Sequence, residues 1–216
     1  MRSPTSLIDP LIPLVADTST VINLIATGCA PAILAALPNP IVVVDVISGE
    51  LDTGRSRGRP HADRLQEIVA AGNIAIVTLG ETGWKHFEML VAGVASETLD
   101  DGEAATIAYA AEQGAVVILD EKKGTRICAA RFPNVGIIST VDVLLHPKVR
   151  EALGDEALAD AVFAALCDAR MAVFRYHRNE VLQLIGPERA VRCSSLSKGF
   201  RVSDPSEPQT EIEHGV

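Results

Sequence analysis

The 216-residue sequence predicts an α/β fold: a three-layer α/β/α sandwich on a mostly parallel sheet, with a C-terminal helical extension. Three observations lead there. Short apolar runs rich in β-branched residues alternate with helical periodicities long enough to serve as crossovers, which parallel strands require. The clearest run, Pro40-Ile-Val-Val-Val-Asp-Val46, is continuously apolar rather than alternating, as a strand covered on both faces is. Carboxylates recur just past strand ends or at helix starts, and in an open parallel sheet those positions lie on the side where ligands bind.

In chain order, Leu14-Val-Ala-Asp17 reads as a buried strand ending on a carboxylate, and Thr18-Ser19-Thr20 opens a helix carrying Val21, Ile22, Leu24 and Ile25 until Gly28 stops it. A short helix over 32–37 leads to the second strand. Residues 51–64 hold Gly and Pro breakers and four arginines, which predicts a mobile basic loop. A helix through Leu65, Ile68 and Val69 ends at Gly72, a third strand covers 74–79, and a helix covers 82–95. Ala104, Ile107, Ala108 and Ala111 recur at helical spacing, Gly114 closes that helix, and 115–119 is the fourth strand. A basic helix over 122–132, a fifth strand over 135–138 and a helical turn over 140–145 complete the unit.

This divides the chain into an N-terminal segment 1–13, an α/β domain 14–147, a helical, basic extension 148–202 and an acidic tail 203–216 whose Pro, Ser and Glu content predicts disorder. Within the extension, Leu153, Leu158, Val162, Phe163 and Leu166 mark a helix pair that packs on the domain or on a partner.

The net charge of −9 argues against a surface built for tight duplex binding, and eight aromatic residues are too few for a base-stacking platform. Neither excludes a nucleic-acid enzyme, because carboxylates gathered around a divalent cation make the count acidic without repelling the substrate. Four widely spaced cysteines with no zinc-ligand pattern read as reduced thiols in a cytoplasm. Prolines interrupt every apolar run before it reaches membrane-spanning length, so no membrane association is expected.

The residues with chemistry to offer are acids: Asp17, Glu50, Glu103 and Asp120, with Asp101 and Glu121 beside two of them. Each alone has an ordinary explanation. Asp17 can cap a helix, and Asp100-Asp-Gly-Glu103 is a capping-box pattern. Together they line one crevice at the C-terminal edge of the sheet. Clustered carboxylates repel unless protonated or neutralised, and the usual neutraliser of an all-oxygen cluster is Mg2+ or Mn2+, which suits phosphodiester hydrolysis. His61, His86, His146 and His177 are scattered with no triad arrangement and read as surface or core residues. Trp84, at packing spacing from Phe87, reads as core, and Thr18 and Ser19 as helix caps.

At these acids the chain resembles the PIN-domain ribonucleases: Leu14-Val-Ala-Asp17-Thr-Ser, Glu50 after the second strand, Gly102-Glu103-Ala-Ala-Thr-Ile-Ala-Tyr-Ala and Val117-Ile-Leu-Asp120-Glu121 follow that family's order and spacing over residues 14–146. The resemblance implies a PIN fold, a Mg2+- or Mn2+-dependent endoribonuclease, and frequent use as the toxin of a toxin–antitoxin pair. Carried over, Asp17, Glu50, Glu103 and Asp120 become the metal-site and catalytic acids, with either Asp120 or Glu121 filling the fourth place. Arg55, Arg57 and Arg59 are candidates for RNA backbone contact. An RNA substrate, an antitoxin protein and a second copy of the chain are the partners this leaves open. Two other readings compete: a non-catalytic interaction module that keeps the fold, and an aspartyl-phosphate phosphatase using Asp17 as nucleophile, which generally wants an acid where Ser19 stands.

Overall fold

The computed structural model describes residues 9–46, 61–193 and 196. Five short strands, β1 (Leu14–Ala16), β2 (Ile41–Val44), β3 (Ala75–Val77), β4 (Val116–Ile118) and β5 (Gly136–Ile138), form one sheet in the order β3-β2-β1-β4-β5. Every pairing is parallel, with Val15 beside Val42 on one side and Val117 on the other. The strand order reverses direction at β1, between β2 and β4. A crevice forms outside the carboxyl ends of neighbouring strands at such a switch.

Helices cover both faces. α1 (Thr18–Ala26), α2 (Ala30–Ala36), α3 (His61–Ala70), α7 (Thr140–Leu144) and α8 (Pro147–Asp168) lie on one side; α4 (Glu81–Val91), α5 (Asp101–Gln113) and α6 (Lys122–Arg131) lie on the other. Alternation along the strands feeds the two cores: Leu14 and Ala16 join the first, Val15 the second, and Ile118 and Val117 divide the same way. After α8 come a 3-10 turn (Arg175–His177), α9 (Arg178–Ile185) and α10 (Pro187–Arg192). α8 is broken at Gly154, whose φ of 75° and ψ of 164° no helix admits, so the predicted helix pair is present. Val149, Leu158, Val162, Leu166, Val181 and Ile185 are buried in the same core as Leu14 and Ala16. The C-terminal helices are thus one face of the sandwich. Among the described residues no single helix is long and apolar enough to cross a membrane.

Several expectations need correction. The region predicted as a loop over 51–64 is helical from His61, where Asp63 favours the first turn and Arg64 bonds Glu67 at 2.9 Å. The helix expected to reach residue 95 ends at Val91, because Ala92 turns extended and Gly93 takes a φ of 128°. Arg126 and Arg131 then tie the following loop down through the carbonyls of Ser96, Met89 and Glu97. Trp84 is not core: it is 47% exposed, with its ring edge-on to Phe87 at 5.4 Å on the outer face of α4.

One polar contact joins α4 to α5. Gly80, the N-cap of α4, has no side chain to cap with, and Glu112 of α5 accepts from the Gly80 and Gly83 amides at 2.9 Å each. A Cβ at either glycine would fall on that carboxylate. The amide bonds from Gly83 and Gly80 hold Glu112 below its usual 4.5. Glu112→Ala is expected to cost about 1 kcal/mol, as a lost helix cap does. Because the folded value is lowered, that difference should be complete above pH 4.5 and shrink as the pH falls below it, measured by urea denaturation across the range.

Candidate active site

Asp17 directly follows β1. Its backbone is extended and its Oδ1 accepts from the Thr20 amide at 2.7 Å, so Asp17, rather than Thr18 or Ser19, is the residue that caps α1. Ser19 instead turns back: its hydroxyl donates to both Asp17 oxygens, at 2.8 and 3.0 Å. The carboxylate is buried, 3% exposed. Burial, with the charge of Asp120 adding to it, pushes Asp17 up to about 6 despite the bonds from Thr20 and Ser19.

Asp120 stands two residues past the end of β4 and is also buried. Oδ1 accepts from the Thr140 amide at 2.8 Å, and Oδ2 accepts from Thr140 Oγ1 at 2.6 Å and from Asn23 Nδ2 at 2.8 Å. Thr140 begins α7 just past β5, and Asn23 lies one turn along α1 from Thr20, whose hydroxyl bonds the Ile118 carbonyl. The start of α7 and a face of α1 therefore close on this one group. Burial raises its pKa, the bonds from Thr140 and Asn23 oppose that, and the charge of Asp142 adds to it.

Glu103 enters from α5. Asp100 caps that helix by accepting from the Glu103 amide at 2.8 Å, but only this half of the capping box forms. The Glu103 side chain is free of capping. It is 6% exposed, and its Oε1 is buried with no hydrogen-bond partner. Burial pushes it up to about 8, with the charges of Asp100, Glu121 and Asp17 adding and Lys123 opposing. Room for the carboxylate comes from Gly124 in the first turn of α6, where a Cβ would stand 2.5 Å from Oε1.

The structure thus brings Asp17, Glu103 and Asp120 to one edge, each buried and each raised. Glu121 is exposed at the N-cap of α6, its charge still felt by Glu103, and Asp101 is exposed on the first turn of α5. Glu50, Arg55, Arg57 and Arg59 lie outside the described residues. Among the described residues no three acids, histidines or cysteines are drawn close enough to ligate a single ion as they stand. Hydroxyls and amides occupy the Asp17 and Asp120 oxygens. The donor set nevertheless suits a hard divalent cation: all its ligands are carboxylate oxygens, and one buried oxygen has nothing to bond. A separate hollow of about 210 Å³ beside Ile25, Pro31 and Ile68 contains none of these acids.

Sequence reasoning passed over Asn23, Thr140 and the pair Asp142 and His177. Ser139-x-x-Asp142 carries a capping-box pattern that could have been read, and the box forms, with the Ser139 amide and hydroxyl donating to Asp142 Oδ2 at 2.8 and 2.6 Å. Nothing local marks Asn23 or His177.

A family model described as a PIN domain matches residues 13–187, from the start of β1 to the first residue of α10. Comparison with curated proteins and with solved structures gives no match.

The raised acids set a pH dependence. Between about pH 4.5 and about pH 8 the folded chain keeps a proton on Glu103 that the unfolded chain releases, so metal-free stability should fall as pH rises through this window. Glu103→Gln should remove that slope, gaining more in melting temperature at pH 8 than at pH 5 when both are measured in EDTA. Parallel curves for the two proteins would place Glu103 in contact with water.

Proposed function

The chain belongs to the PIN-domain family, a nuclease fold, and on that premise we propose that it is a Mg2+- or Mn2+-dependent endoribonuclease acting at the edge where Asp17, Glu103 and Asp120 meet. The observation that carries this reading is the unpartnered, buried Glu103 oxygen beside two other buried carboxylates. Anionic groups kept from water without a compensating partner are costly, and a fold that only needed caps at these positions would leave them at the surface. Asp17, Glu103 and Asp120 would hold the cation, joined by Glu50, with Glu121 and Asp101 at the margin. Held there, a divalent ion would supply Lewis-acid polarisation of a phosphate and a water of lowered pKa.

The chain's own groups do the rest. Ser19 fixes the rotamer of Asp17, and Thr140 and Asn23 fix that of Asp120, so two oxygen donors are presented without reorganisation. Glu103, at about 8, carries its proton at neutral pH and would give it up to bind a cation. Lys123 adds positive charge beside Glu103. RNA as substrate, Arg55, Arg57 and Arg59 as its backbone contacts, a toxin role with an antitoxin partner, self-association and a cytoplasmic setting follow from the sequence reading and are proposed with it.

Calorimetry and cleavage of a labelled RNA test the proposal together. Wild type should bind Mn2+ and cut RNA, EDTA should stop the cutting, and Glu103→Gln should weaken both by ~10-fold or more, the usual cost of a damaged metal site. Asp17→Asn should abolish cleavage with little loss of metal-free stability, since Asn caps a helix as well as Asp. Asp101→Asn, on the exposed turn, should leave both near wild type. Gly124→Ala makes the discrimination sharper. It favours the α6 helix by about 1 kcal/mol yet sets a methyl against Oε1, so the melting temperature should hold while Mn2+ affinity drops. No Mn2+ binding by the wild type would leave the non-catalytic module as the reading.

A further inference from the structure

His177 lies at the end of the 3-10 turn after α8, in the helices the sequence sets apart as an extension, and it is 3% exposed. Its Nε2 stands 2.9 Å from Asp142 Oδ1, out of line for a linear hydrogen bond but in close polar contact, and no other group bonds either atom. Asp142 Oδ2 accepts from the Ser139 amide and hydroxyl, and Ser139 Oγ accepts in turn from the Asp142 amide at 3.2 Å. Ser139 is the N-cap of α7 and Thr140 its first residue, the one whose amide and hydroxyl both donate to Asp120. Six buried contacts of 3.2 Å or less, forming three links joined by the Ser139–Thr140 peptide bond, therefore connect the C-terminal helices to a site carboxylate.

A Ser/Asp capping box needs no third member on an exposed helix, because water serves the outer carboxylate oxygen. Asp142 is 5% exposed, so water does not serve it. Without His177, Oδ1 has no partner, and a buried carboxylate in that state turns to find one at the expense of the box. Once the box opens, the start of α7 moves, and the two Thr140 bonds to Asp120 move with it. The imidazole is itself held in place: Tyr176 packs over it at 4.4 Å, and Phe174 stacks on Tyr176 at 5.6 Å.

Resting on the metal-site reading of Asp120, we propose that His177 is a positioning residue for that acid, acting through Asp142, Ser139 and Thr140, so that the C-terminal helices are a working part of the site. The relay and the metal-site reading can fail separately. In metal-free, full-length protein the Thr140 amide proton, bonded to Asp120, reports the relay directly. His177→Phe, which keeps a ring and loses the nitrogen, should make that amide exchange with solvent about 10-fold faster. His177→Gln, whose amide nitrogen reaches nearly as far as Nε2, should restore its protection. Ile185→Ala loosens the buried face of α9 without touching the relay and should leave the Thr140 amide as in wild type. Should the Phe variant fail to fold, His177→Asn, whose amide nitrogen stops short of Asp142, takes its place. In Mn2+ titrations the affinity should follow the same order: ~10-fold weaker for Phe, near wild type for Gln and for Ile185→Ala. An unchanged Thr140 amide in the Phe variant, or equal loss of its protection in Ile185→Ala, overturns the relay. Absence of Mn2+ binding in the wild type overturns the metal reading alone, while the amide exchange still decides the relay.

Discussion

Keeping three carboxylates out of water at one edge of a parallel sheet is the constraint on which the rest of the structure depends. Asp17 and Asp120 extend strands that are buried on both faces, so they are carried inward by the β1 and β4 backbones whether or not the solvent follows. Each is then surrounded by donors from other elements: α1 caps itself on Asp17, while α7 begins on Asp120 and Asn23 reaches it from α1. These bonds lower the two acids, yet burial outweighs them and both remain raised. Glu103 has no such donors and is raised further than Asp17. The gradient matters chemically. Two acids are oriented by the protein, and a third is left to find its counter-charge elsewhere.

The helices after residue 147 belong to the same constraint. Their apolar side chains complete the core beneath α1 and α2, and a buried imidazole, His177, meets Asp142 next to the Asp120 cradle. Burial raises the Asp142 carboxyl, and the bonds from His177 and Ser139 more than reverse this, holding it below its ordinary value. Asp142 and Glu103 thus show the two outcomes open to a buried acid. One has an imidazole nitrogen 2.9 Å from its outer oxygen; the other has an open oxygen.

Local rules read most of the framework correctly. The β-branched run at 41–44, the Gly114 stop at φ 68° and the acid following each of β1 and β4 all stand where periodicity and turn chemistry put them. The errors fall at margins. Trp84 has the spacing of a core residue but sits on the outward side of α4, and spacing does not say which side of a helix meets the sheet. Residues 61–64 carry loop-like composition but begin a helix, since an acid in the first turn and an i to i+3 pair suffice there.

The sequence by itself determined the fold class with its mostly parallel sheet, the family resemblance and which acids stand at strand and helix ends, because strand periodicity and acids at strand and helix ends are local properties of the chain. Only the tertiary structure decided how those acids are held. Thr140 is 20 residues from Asp120 and Asn23 is 97 residues from it, yet all three share bonds of 2.8 Å or less. His177 meets Asp142 at a separation of 35 positions, with no motif at the His177 end. Contacts of that kind arise from which strand neighbours which and from how far burial excludes water, and both are set by the packed whole.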